Sequence, residues 1–170
     1  KSGLKKFGSI DIFINYAGQA SLNHSLLTPS KTVNSLFGVN FNGTFFLSRE
    51  CAKSMIKNKY GRIVNFSTIA VPLNLEGELI YASSKKAVEK MSKILSKELS
   101  RFNITVNVIG PTPIDTDLMK VVPKDKVKNI LDRQVIKRFG EFSEIANVID
   151  FFISEKSSFV TGQKIYLGGL

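Results

Sequence analysis

Short apolar runs alternate along this 170-residue chain with longer segments whose apolar positions recur every three or four residues. Ile10 to Asn15, Gly61 to Thr68, Ile104 to Ile109 and the stretch around Lys164–Leu167 are short and rich in β-branched residues. They read as strands, and the run from Gly61 reads as one buried on both faces. Between them the period becomes helical. The pattern predicts a helix from Ser30, taken as its cap, to about Lys57, with a break or bend near Asn40 marked by Gly38 and Gly43. A second long helix, Tyr81 to Ser100, places Ala87, Val88, Met91, Ile94, Leu95 and Leu99 at helical spacing. Pro123 to Val135 forms a shorter amphipathic segment, and Ser143 is expected to cap a last helix, Glu144 to Ile153. Regular alternation of strand and helix predicts an α/β fold with a doubly wound parallel sheet, and the length suits one domain.

Three of the strands end in polar or backbone-rich turns: Asn15-Tyr16-Ala17-Gly18, then Ser67-Thr68, then Gly110 through Thr116. In open α/β sheets ligands bind outside the carboxyl ends of the strands, so these turns mark a site. Tyr81 and Lys85 begin the helix that follows the second of them. Four residues make one helical turn, which stacks the phenol and the ammonium on one face. A free phenol ionises near pH ~10, too high for efficient proton transfer at neutrality. A neighbouring cation is expected to bring that value down. The pair is therefore a candidate acid/base couple for an alcohol or carbonyl oxygen, with the strand-end hydroxyl of Thr68, or of Ser67 after a small shift, as its hydrogen-bonding partner.

With these motifs in this order, the chain resembles the classical short-chain dehydrogenase/reductase family over nearly its whole length. The family's Asn-Asn-Ala-Gly strand end appears as Asn15-Tyr16-Ala17-Gly18, its Val-Asn-x-x-Gly helix motif as Val39-Asn40-Phe41-Asn42-Gly43, and Tyr-x-x-x-Lys is intact at Tyr81 and Lys85. Its Pro-Gly-x-x-x-Thr turn runs from Pro111 to Thr116 with Thr112 in place of glycine, and Thr161-Gly162-Gln163 with Gly168-Gly169 match its ending. The resemblance implies a Rossmann-like fold and an NAD or NADP cofactor. It implies a catalytic set of Asn40, Thr68, Tyr81 and Lys85: Tyr81 as proton donor, Thr68 on the substrate oxygen, Asn40 holding a water in a relay towards Lys85. Asn15, Ala17, Gly18, Lys85, Pro111, Ile114 and Thr116 would contact the cofactor. It further implies a homodimer or homotetramer paired through the two long helices, a substrate lid between Thr116 and Gly140, and carbonyl reduction. For such sequences a 3-oxoacyl thioester on an acyl carrier protein is the commonest substrate. An NAD-dependent alcohol, polyol or sugar dehydrogenase uses the same residues, and a non-catalytic relative is the alternative outside enzymes.

The Gly-rich pyrophosphate turn of the family and the acidic residue that reads the adenosine ribose do not occur in this sequence. The chain is therefore expected to be the C-terminal portion of the fold, truncated at its N-terminal side, with the strand at Ile10–Ile14 left as an open sheet edge. No apolar run approaches the roughly 18 residues of a membrane span, which argues for a protein without a membrane partner. A single cysteine, Cys51, rules out an intrachain disulfide framework and fits a reducing cytoplasm. One histidine, His24, and no cysteine cluster argue against a metal site. The net charge of +10 raises the question of nucleic acid. The lysines are scattered over helix faces and loops without aromatic interleaving, so no nucleic-acid partner is expected. Docking of an acidic carrier protein, with Lys59 and Arg101 as contacts, is the functional reading of that charge.

Overall fold

A computed structural model describes residues 6, 8–115 and 122–169. Four parallel strands, β1 (Ile12–Asn15), β2 (Gly61–Phe66), β3 (Ile104–Gly110) and β4 (Lys164–Tyr166), lie in the order β1-β2-β3-β4. Ile14 pairs with Val64, Val64 with Asn107, and Ile109 with Ile165, so the carboxyl ends of β1, β2 and β3 come level. β1 is one edge of the sheet, as expected.

Each parallel crossover is made by helices that bury an apolar stripe on the sheet. The first contains α1 (Ser30–Phe37), a π-helical turn (Gly38–Gly43) and α2 (Thr44–Asn58). The second contains the four-residue α3 (Ala70–Leu73) and the long α4 (Leu79–Leu99), and the third α5 (Lys124–Asp132) and α6 (Phe142–Ile153). Alternate residues of β2 and β3 feed the two faces. Ile63, Ile104 and Val106 pack with Cys51, Ala52, Met55 and Leu99 under α2 and α4. Val64 and Ile109 pack with Phe152 of α6 and with Val148 and Ile149. A sheet covered on both faces by alternating helices is the doubly wound architecture anticipated.

Local starts differ from the sequence expectation. Pro29, not Ser30, is the N-cap of α1, and no side chain caps it; the extended backbone of proline already sets the entry. α6 is capped by Glu141 rather than Ser143, because Glu141 and Glu144 form a reciprocal capping box. Arg138 beside Glu144 then holds that carboxyl well below the usual range, at about 2. The bend near Asn40 is real and takes the form of the π-helical turn. Among the described residues no helix is long and apolar enough to cross a membrane.

Candidate active site

The turns that leave β1, β2 and β3 converge with the first turns of α4 on a cavity of about 400 Å³. Thr68, Tyr81, Lys85, Gly18, Pro111 and Ile114 all line it. Two layers of side chains build it.

Tyr81 and Thr68 stand together at the cavity wall. The Thr68 hydroxyl accepts the backbone N–H of Ala70 at 3.2 Å, which leaves its own hydrogen free to bond the Tyr81 phenol. Ser67 is turned elsewhere, since its hydroxyl donates to Glu89 Oε1 at 2.6 Å. The choice between the two hydroxyls therefore falls on Thr68. Burial pushes the Tyr81 phenol above its ordinary value, the Thr68 bond pulls the other way, and the charge of Glu78 adds to the rise. This corrects the expectation that Lys85 lowers it. Lys85 is itself buried, its ammonium donating to the Phe66 carbonyl at 3.1 Å, and burial brings it down to about 8. At neutral pH the site thus holds a protonated phenol beside a buried cation.

Lys85 has three donors and one protein acceptor among the described residues, the Phe66 carbonyl. A β-carbon on Gly18 would stand 3.0 Å from Lys85 Nζ and 3.4 Å from Asn40 Oδ1, so glycine lets the β1 turn lie against them without displacing the ammonium. An ammonium with free donors beside bare backbone fits the vicinal hydroxyls of a ribose, so these residues suit the nicotinamide end of a dinucleotide.

Asn40 lies behind this layer, fully buried. Its amide donates to the Gln19 carbonyl at 2.9 Å and to Ser84 Oγ at 3.0 Å, and its oxygen accepts from Gln19 N–H at 2.8 Å. Both N–H groups are taken, so the side chain ties the β1 turn to α4. Asn15 is buried too and donates to Thr44 Oγ1 at 2.8 Å, while that hydroxyl donates to the Asn40 carbonyl at 2.6 Å. Asn15 therefore fixes the strand end to the π-helical turn. Ala17 is exposed and outside the cavity wall, between Tyr16 and Gly18, which line it. Pro111 gives its carbonyl to Ile69 N–H at 3.2 Å, and Ile114 bridges to Gly140. Thr116 lies outside the described residues. Lys59 and Arg101 precede the amino ends of β2 and β3, at the opposite end of the sheet from the cavity. Docking there would set a carrier about 20 Å of strand away from Tyr81 of the same chain.

Three participants went unread in the sequence. Gln19 and Ser84 complete the Asn40 cluster, and no pattern singled them out. Glu89 receives Ser67, Lys164 at 2.9 Å, Lys86 at 3.2 Å and the Tyr166 hydroxyl, tying α4 to β2 and β4. Its position next to Val88, on the buried side of a helix, was the available signal. Among the described residues no His, Cys, Asp and Glu cluster could hold a metal ion.

Residues 2–169 match a family model described as "Enoyl-(Acyl carrier protein) reductase". The chain is 37% identical over 165 residues to the 3-oxoacyl-[acyl-carrier-protein] reductase FabG of Buchnera aphidicola subsp. Schizaphis graminum, covering 97% of this chain and 67% of that protein. It is 35% identical over 169 residues to the (2S)-[(R)-hydroxy(phenyl)methyl]succinyl-CoA dehydrogenase subunit BbsD of Thauera aromatica, covering 99% and 68%. A crystal structure described as a putative gluconate dehydrogenase from Agrobacterium tumefaciens superimposes with a TM-score of 0.92 at 26% identity, over 99% of this chain and 68% of that one. The chain thus spans about two thirds of the length of these relatives. Fold, motif order and these matches agree, and the chain belongs to the short-chain dehydrogenase/reductase family, a family of oxidoreductases.

Proposed function

We propose that the full-length protein reduces a carbonyl group with NADH or NADPH, with a 3-oxoacyl thioester, free or on an acyl carrier protein, as substrate. The observation that carries this reading is the Thr68–Tyr81 pair at the wall of the cavity, with Lys85 beside Gly18. A nicotinamide cofactor, when bound, supplies the hydride. Lys85, with Gly18 giving close approach, would hold its ribose hydroxyls, and Pro111, Ile114 and Thr116 would face its carboxamide end. Thr68 donates to the substrate oxygen and holds it near Tyr81. As negative charge develops there, the Tyr81 phenol passes its proton to that oxygen. Burial keeps the phenol protonated at neutral pH, which suits reduction.

The substrate class rests on the rest of the wall. Ala20, Leu22, Ile69, Leu75, Ile130 and Ile145 give it an apolar character that suits an acyl chain better than a polyol. The name of the matching family model points to enoyl reduction, but relatives of that activity usually space Tyr and Lys more widely than Tyr81 and Lys85. The FabG relative and the BbsD relative are both named for acyl thioesters. We further propose a homodimer or homotetramer working in the cytoplasm. Phe46 and Leu47 on α2 and Ile94 on α4 are about half exposed, as helices destined for an isologous interface would be.

The test uses the full-length parent. Its consumption of NADH and NADPH is followed with a 3-oxoacyl thioester, a simple ketone, and a polyol or sugar acid with the oxidised cofactor. Preferential turnover of the thioester is expected. Preference for the polyol selects the dehydrogenase reading, and no turnover with any of them selects the non-catalytic one.

A further inference from the structure

One charged group in the cavity, beyond its effect on the Tyr81 phenol, has no contact assigned to it above. Glu78 is the N-cap of α4 and stands three residues before Tyr81, so the two side chains share a face one turn apart. Its side chain lines the cavity with Thr68, Tyr81 and Lys85. A capping side chain accepts a backbone N–H of the first turn, and Glu78 makes no such bond. Among the described residues its carboxylate has no hydrogen-bond partner. The ammonium of Lys126 on α5 acts on it through space. The wall around it is built from Leu22, Ile69, Leu75 and Ile130. A half-buried carboxylate without a donor in apolar surroundings is costly, and the group that can relieve it is whatever enters the cavity.

We propose that Glu78 is a specificity-determining residue: its carboxylate accepts a hydrogen bond from a hydroxyl or amide N–H that the substrate carries near the reacting carbonyl, and it turns away substrates bearing a carboxylate there. This rests on the carbonyl-reductase reading. The geometry is direct, because Tyr81 marks where the carbonyl oxygen sits and Glu78 stands one helical turn from it.

The experiment compares the full-length parent with Glu78→Gln and Glu78→Leu on three ketones of one chain length that differ in a single group near the carbonyl: methyl, hydroxyl or carboxylate. Both kcat/KM and, by calorimetry on the cofactor-bound enzyme, Kd are measured. The parent is expected to favour the hydroxyl over the carboxylate compound by about 10-fold or more, the worth of a charge-assisted hydrogen bond. Relative to the methyl ketone in the same protein, Glu78→Gln should raise the carboxylate compound by about 10-fold, and Glu78→Leu should abolish the hydroxyl preference. The methyl ketone absorbs any change in the Tyr81 phenol that follows loss of the Glu78 charge, and circular dichroism reports that the variants are folded. Equal preferences in all three proteins overturn the role of Glu78 and leave the reductase reading standing. If no ketone is turned over, the reductase reading fails, and the Kd values decide Glu78 alone: the same pattern upholds it, and uniform or absent binding overturns it.

Discussion

Thr68 stands at the strand end where the proposed reaction needs a hydroxyl, beside the Tyr81 phenol. Its hydroxyl accepts the Ala70 N–H and so keeps its one hydrogen for the Tyr81 phenol or, in the proposed reaction, for the substrate oxygen beside that phenol, and its β-branch restricts its rotamers. Thr68→Ser is therefore expected to stay active, while Thr68→Ala should lose about 10²-fold in kcat, the usual cost of a donor aimed at a developing oxyanion. Ser67→Ala should be mild, because Ser67 serves Glu89; steady-state kinetics on the three variants check the assignment. Lys85 makes a second prediction. Its folded pKa of about 8 lies below the ordinary lysine value of 10.5, so between those two pH values the unfolded chain binds more protons than the native one. The burial penalty is then fully present below pH about 8 and is relieved as pH rises towards 10.5. Denaturant unfolding should show the parent gaining stability relative to Lys85→Met between pH 8 and 10. A constant difference across that range would place the ammonium in water.

At the scale of elements, the site depends on two buried polar clusters that hold strand ends to helices. The Asn40 cluster joins the β1 turn, the π-helical turn and α4; the Glu89 cluster joins α4, β2 and β4. Gly110 belongs to the second, because a β-carbon there would collide with the Tyr166 ring at 2.1 Å and push its hydroxyl from Glu89. Glu89→Ala strips four partners of their acceptor and is expected to cost about 1–3 kcal/mol, read as a fall in Tm of about 2–4 °C per kcal/mol for a chain of this size. The strands, the two long helices and the residues at the strand ends were legible in the sequence, because period and turn chemistry are local signals. Tyr81, Lys85 and Thr68 were found that way. The direction of the Tyr81 shift was not, because it depends on how deeply the phenol is buried and on Lys85 reaching for Phe66. Asn40 was legible as the bend but not as the tie to Gln19 and Ser84, which lie 21 and 44 residues away in the chain. Glu78 had a readable signal, a carboxylate three residues before Tyr81.

For the whole molecule, the exposed apolar residues on α2 and α4 predict assembly. Light scattering on the full-length parent at micromolar concentration should find a dimer or tetramer, and Phe46→Glu should shift it towards monomer by placing a charge among the exposed apolar residues of α2. Monomer in the parent would leave Phe46, Leu47 and Ile94 without an explanation. Lys59 and Arg101, at the far end of the sheet from Tyr81, gain meaning only if an assembly brings one copy's sheet end near another's cavity.

The central claim is that Tyr81 gives the proton to the substrate oxygen. Tyr81→Phe in the full-length parent removes only the phenolic hydroxyl, so the decisive measurement is its turnover of a carbonyl substrate together with its separately determined affinity for NADH or NADPH. The account predicts a loss of about 10²-fold or more in kcat with cofactor affinity unchanged. Turnover close to the parent's, with affinity intact, would contradict it and move the proton to another group.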